Sequence, residues 1–277
     1  MLLKEDLLCI LKSGKDIALL DFKDWLFSDD VFGKNVQADH LRKWVRYAAV
    51  DYGDADIVIK SGKVFEELGW TELKWNELEW SKTWIDCIYS FKTYFSIFLK
   101  FYLDVKMFKY GYILDHYDEI FAQTKKESVA KEKNIDVQLL NDLFEELNRF
   151  ARNTHTIGNY MPCPDGEYNS IKGYRGNKYT RDRLDLLYAE LCNLKNSKYE
   201  RLKEKGETYK KCLEDKKEVL YLDKLLETDL LEYRLHNMKN EEDLEYFLKY
   251  LKGINPLIEE RGLKIEEKLK IGICKDK

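Results

Sequence analysis

The stretch "DVQLLNDLFEELNRFARNTHTIGNYMPCPDG", Asp136–Gly166, changes character in its middle. Its first half sets Leu140, Phe144, Leu147 and Ala151 at intervals of three and four, which is the apolar stripe of an amphipathic helix. Past Asn153 the stripe ends. Residues 149–183 collect two of the three prolines of the chain, four glycines and four asparagines, which mark turns rather than helix. Helical spacing resumes from Thr180, a suitable N-cap, through Leu184, Leu187, Tyr188, Leu191 and Leu194. The fold expected is therefore mainly α: a helical domain with an irregular ordered loop, about 153–180, clamped between two amphipathic helices. Loops of that length without secondary structure are uncommon in compact domains and usually carry function or are disordered. Order is expected here because Ile157, Tyr160, Met161, Tyr168 and Ile171 can bury, while the Pro164-Asp165-Gly166 turn has its own mechanism.

The rest of the sequence agrees with a helical protein. It is 44% hydrophobic and 35% charged with only three prolines, too little turn punctuation for a sandwich or barrel. A formal charge of −4 argues against a nucleic-acid binder that uses its whole surface. The six cysteines show no C-x-x-C and no zinc-finger spacing, as expected of reduced thiols in a cytoplasmic protein. The opening run is broken by Lys4, Glu5 and Asp6 and does not read as a secretory signal. Trp84–Leu103, the most apolar run, carries Asp86, Lys92 and Lys100, so a buried core helix is expected and no membrane contact.

Other segments fill out the plan. Residues 2–13 read as a helix, and Asp39 as the cap of another. "DIVIKSGKVFEEL", 56–68, is the best candidate for extended structure. Trp70, Trp75, Trp80 and Trp84 read as core rather than as a binding strip. "TKKESVAKEKN", 124–134, reads as a solvated connector between an N-terminal helical region, 1–123, and a C-terminal one, 135–277, either as two lobes or within one compact domain. Residues 198–220 read as a solvated helix with mixed-sign pairs, Asn240 and Gly253 as the cap and stop of a short helix, and Pro256 as the first turn of a last one.

Chemistry concentrates in the irregular stretch. His155, Asn159 and Asn169 are polar groups able to serve either this backbone or a ligand. Lys172, Arg175, Lys178, Arg181 and Arg183 follow, with Asp182 as the one acid among them and Tyr174 and Tyr179 interleaved. Cations alternating with aromatics suit phosphate contact and base stacking.

The string "THTIGNYMPCPDGEYNSIKGYRG", followed by "RLDLLYAEL", resembles a motif of uncharacterised bacterial proteins with an H-T-I-G-N turn, a [FY]-N pair and an Arg-Gly. The match covers about fifty residues, and no activity comes with it. More distantly, "IGNYMPCPDGEYNS" is similar to the signature of His-Asn-His endonucleases of the GmrSD restriction kind. That resemblance implies a ββα-metal site holding Mg²⁺ or Mn²⁺. Asn159 would orient the general base and Asn169 would help hold the metal. Asp115 and His116 of "LDHYDEIF" would be the upstream acid and base, although that run reads as helix and lacks the expected proline. His155 is the alternative base.

Three functions follow as expectations. The first is a degenerate nuclease-like binding module that contacts nucleic acid or a phosphate-bearing ligand through residues 153–183. The second is an active metal-dependent nuclease in anti-phage defence, and the third a protein-protein interaction module whose loop is purely structural.

Overall fold

The computed structural model describes residues 16–21, 39–50, 57–58, 68, 70, 83–164, 184–196, 200–227 and 238–275. It is mainly helical. The α-helices are α1 (His40–Ala49), α2 (Phe91–Tyr102), α3 (Tyr110–Asp115), α4 (Tyr117–Ile120), α5 (Gln123–Lys133), α6 (Val137–Thr154), α7 (Leu184–Cys192), α8 (Glu200–Lys216), α9 (Asp223–Glu227) and α10 (Glu241–Lys275). Single 3-10 turns lie at Ile17–Leu19, Ile157–Asn159 and Leu194–Asn196. A small antiparallel sheet in the order β1-β2-β3 joins Ile57–Val58, Thr83–Cys87 and Tyr160–Pro164.

Helix α6 forms as its spacing requires. Asp136 caps it by accepting the Gln138 N–H at 2.9 Å. Its inner face buries Leu140, Leu143, Phe144, Leu147, Phe150 and Ala151. Against it lies α10, whose buried stripe runs from Leu244 and Phe247 to Ile258 and Ile265. Asn240 accepts the Asp243 N–H at 3.0 Å, so the α10 cap falls where the sequence places it. Aromatic side chains fill the centre. Trp44 meets Phe91, Phe95 and Tyr110 edge-on, and Phe144 meets Phe98, Tyr102 and Phe121 in the same way. Edge-to-face pairs add to the area these rings bury. Trp70 is wholly buried, as a core residue should be.

Four readings need correction. The apolar run 84–103 is not one helix, because Thr83–Cys87 is the central strand and the helix begins at Phe91. A short apolar run fits a buried strand as well as a buried helix. The connector 124–134 is helix α5, which packs Val129 and Ala130 inward and ends with Asn134 in the left-handed conformation at φ 53°. Two inward residues are enough to seat it on α6, and Asn is among the few residues that tolerate that stop. Helix α8 is not merely solvated, since Tyr209, Cys212 and Leu213 are buried. Finally, Gly253 does not stop a helix and Pro256 does not start one: α10 runs unbroken for 35 residues. An internal proline costs about 3 kcal/mol, and burial of the long apolar stripe outweighs it.

The irregular loop also contains more regular structure than expected. β3 pairs along β2 with Tyr160 opposite Cys87, Pro162 opposite Ile85 and Pro164 opposite Thr83. Proline lacks a ladder donor and is tolerated on an edge strand, the place β3 holds among the described residues. The two prolines that read as loop are therefore compatible with strand. The helix of residues 2–13, the turns at Ser61-Gly62 and Asp165-Gly166, Trp75 and Trp80, Tyr168 and Ile171, and the Thr180 cap lie outside the described residues. No helix is long and apolar enough to cross a membrane among the described residues.

Candidate functional site

The H-T-I-G-N run, His155 to Asn159, sits where α6, α10, the sheet and the 16–21 segment meet. Every residue from Asn153 to Met161 is buried. Burial strands backbone polar groups unless something satisfies them, and the side chains of the motif do so.

Asn159 is fully buried and its amide is engaged on both sides. Oδ1 accepts the Tyr89 N–H at 3.0 Å, and Nδ2 donates to the carbonyls of Tyr89 and Thr154, each at 3.0 Å. Its own carbonyl accepts the Ile88 N–H at 2.7 Å. One asparagine thus ties the end of β2 to the C-terminus of α6. Thr154 and Thr156 turn their hydroxyls back on the carbonyls of Phe150 and Asn153, both at 2.8 Å.

His155 caps α6 at its C-terminal end and is 2% exposed at its side chain. Its ring tilts over Tyr47 with centroids 5.2 Å apart, and Nδ1 stands 3.6 Å from Asp21 Oδ1. Asp21 also pairs with Lys43 at 3.0 Å and accepts from the Tyr47 hydroxyl at 3.3 Å. An acid beside this histidine is therefore Asp21, far upstream in the sequence. Nearby on α1, burial first, then the charges of Arg152 and Lys43, hold the pKa of His40 below its ordinary value.

His116 lies elsewhere. It is exposed at the junction of α3 and α4, with its ring stacked on Tyr112 at 4.2 Å and Nδ1 3.0 Å from the Tyr112 carbonyl. The structure brings His155 and Asn159 into one turn and leaves His116 on a helical surface. Asn169, Lys172, Arg175, Lys178, Arg181 and Arg183 lie outside the described residues. Among the described residues no three His, Cys, Asp or Glu side chains are grouped to hold a metal ion.

Two features of α10 complete the junction. Gly158 presses against the helix so closely that a Cβ there would run into the Ile258 carbonyl oxygen and stand 3.0 Å from Gly262 N. Arg261, wholly buried, sends Nη1 to the carbonyls of Ile157, Gly158 and Tyr160 at 3.0, 2.8 and 2.7 Å. Two residues back, Glu259 receives Arg149, Arg152 and Asn153 at 2.6, 2.5 and 3.0 Å. Burial raises the pKa of Glu259, but the hydrogen bonds from Arg149 and Asn153 and the charges of Arg149 and Arg152 outweigh it, so the net displacement is downward.

The sequence reading missed Arg261, Asp21 and Tyr89. A signal for Arg261 was present, because Ile254, Ile258 and Ile265 mark a buried stripe on which position 261 falls. No family model, no curated protein and no solved structure matches this chain.

Proposed function

We propose that the chain is a non-catalytic, nuclease-like binding module in which the buried turn holds up the basic segment 172–183 for contact with nucleic acid or another phosphate-bearing ligand. The observation that supports this best is the engagement of Asn159. Its amide bonds the main chain at Tyr89 and Thr154, so in this role it builds the scaffold instead of orienting a base. The same scaffold anchors both flanks of the segment. β3 leads into it from Asn159, and Leu184, where α7 begins, donates its N–H to the Ile88 carbonyl at 3.3 Å. A stretch fixed at both ends on one core loses less entropy when it binds than a free tail would.

Fluorescence anisotropy with labelled single- and double-stranded DNA and RNA tests this reading. Affinity is expected to fall with salt, by a slope near 0.9 per phosphate neutralised on duplex DNA. The Arg175→Ala/Arg181→Ala pair is expected to lower that slope by about 2 while leaving the melting temperature unchanged. Absence of binding at low salt, or wild-type behaviour of the double variant, would remove the proposal. A parallel incubation with Mg²⁺ or Mn²⁺ separates the nuclease alternative: cleavage that disappears in His116→Ala or His155→Ala variants would establish catalysis and displace the binding-module reading.

A further inference from the structure

The loop after α2 holds apolar side chains in water on a backbone that is fixed at both ends. Helix α2 closes in a Schellman motif. Asp104 takes the left-handed conformation at φ 53°, its N–H donates to the Phe101 carbonyl at 3.3 Å, and the Val105 N–H donates to that of Lys100 at 3.1 Å. Past this stop, Phe108 packs against the core, and Tyr110 meets Trp44 edge-on and shares a 2.8 Å hydrogen bond with Ser96. Met107 stands between these anchors with 86% of its surface exposed. Among the described residues nine large hydrophobics are exposed, and three of them, Val105, Met107 and Tyr112, fall within this one stretch. An apolar side chain exposed singly needs no explanation, whereas a cluster on an anchored loop marks a contact surface.

Charge says what that surface meets. Residues 100–112 carry Lys100, Lys106 and Lys109 against one acid, Asp104. Asp104 faces Lys133 at 3.8 Å, and the three lysines are exposed and enter no ion pair among the described residues. Lys109 precedes α3 and Tyr112 lies one helical turn on, so the two share a face, where the Tyr112 ring stacks on His116 at 4.2 Å. The next acids along the chain, Asp115, Asp118 and Glu119, come past Tyr112, and Asp118 is met by Arg42 at 2.9 Å. Interfaces between proteins are enriched in Met and Tyr but depleted in Lys, so lysines around an apolar tip fit a different partner. An anionic lipid surface attracts lysines, whose stems lie along apolar material while the charge stays in water. It takes up Met and Tyr at the boundary of headgroup and acyl chain, and it needs no complementary pocket.

We infer that residues 100–112 form a peripheral membrane contact, in which Val105, Met107 and Tyr112 enter the surface layer of an anionic bilayer and Lys100, Lys106 and Lys109 meet its headgroups. No helix has to cross the bilayer for this. The expectation of no membrane contact concerns the run 84–103, and the apolar tip lies past its end. The contact depends neither on the buried turn nor on the basic segment 172–183.

Co-sedimentation of the full chain with vesicles tests this, using phosphatidylcholine alone and phosphatidylcholine with phosphatidylserine at about 2:1. Binding to the mixed vesicles is expected, weakening as salt rises, with about ten-fold less on phosphatidylcholine alone. Each lysine near such a surface strengthens binding about five-fold, so Lys106→Gln/Lys109→Gln should weaken it about 25-fold. Lys211→Gln/Lys268→Gln, which removes two exposed lysines of α8 and α10, should change it by less than about three-fold. Met107→Ser should weaken it about ten-fold. Tm should stay at the wild-type value in all three, because the side chains removed are exposed. The Arg175→Ala/Arg181→Ala chain should bind vesicles as the wild type does, which separates this contact from the segment. Wild-type binding by Met107→Ser would make the patch a plain electrostatic one, suited to an acidic protein, and would overturn the proposal. So would equal losses in the two lysine pairs, loss of binding in the Arg175/Arg181 variant, or no binding to the mixed vesicles at low salt.

Discussion

Gly158→Ala is expected to destabilise the protein by about 3–5 kcal/mol, enough to remove much of the stability of an ordinary domain. The added methyl would meet the carbonyl oxygen of Ile258 and press on Gly262 N. Both belong to the backbone of α10, so no rotamer change can make room. Either the turn lifts away from the helix, or α10 moves as a body. Lifting the turn lengthens the bonds from Arg261 to Ile157, Gly158 and Tyr160 and opens the junction at Asn159. Gly262 faces a milder version of the same constraint, since a Cβ there would stand 3.4 Å from Ala18. Urea denaturation followed by circular dichroism checks this. A change below about 1 kcal/mol at Gly158 would mean that the turn is not packed on α10 in this way.

Arg261→Met is expected to cost about 4 kcal/mol, and Arg261→Ala at least as much. The Met side chain fills comparable space but offers no donor. Four buried carbonyls, of Leu220, Ile157, Gly158 and Tyr160, would lose a donor; that of Ile157 keeps the Tyr160 N–H, and each buried acceptor left unsatisfied costs about 1–3 kcal/mol where water cannot replace the bond. Removing a buried charge offsets part of that loss. Arg261→Lys should recover little, because one ammonium cannot reproduce a planar fork that spans Leu220 on one side and the turn on the other. Equilibrium unfolding of the three variants would decide it, and a Met variant as stable as the wild type would show that the clamp contributes nothing.

The sequence made the helices legible where packing is periodic. Leu140, Phe144, Leu147 and Ala151 announce α6 because a helix that buries one face must repeat its apolar residues every three or four positions. It was silent where burial is sparse or shared. Helix α5 turns only Val129 and Ala130 inward, and strand β2 lies inside an apolar run that fits helix equally well. Pro256 misled because its local preference is for a helix start, whereas the packing of α10 spans both sides of it.

The turn itself could be found from its Gly, Asn and His, residue types that irregular buried backbone needs. Its partners could not. Asn159 reaches Tyr89, 70 residues earlier, and Arg261 reaches Tyr160 from 101 residues later. No local pattern records such pairings. Arg261 sits in "EERGLK", which reads as an ordinary charged helical surface until the positions of its neighbours show that it faces inward. For the same reason Asp21, which stands 3.6 Å from His155, could not be named from the residues around that histidine.

The claim that the motif serves the fold is tested most directly by the unfolding free energy of Asn159→Ala. A residue held in place for chemistry is often neutral or stabilising to remove, because the protein tolerates it at some cost to stability. A residue that satisfies buried backbone is not. The substitution strips acceptor or donor from Tyr89 N, Tyr89 O and Thr154 O, so the expected outcome is a loss of about 2–3 kcal/mol, read as a lower urea midpoint with an unchanged slope. A midpoint equal to or above that of the wild type would contradict the structural role of Asn159 and return the turn to the candidates for catalysis.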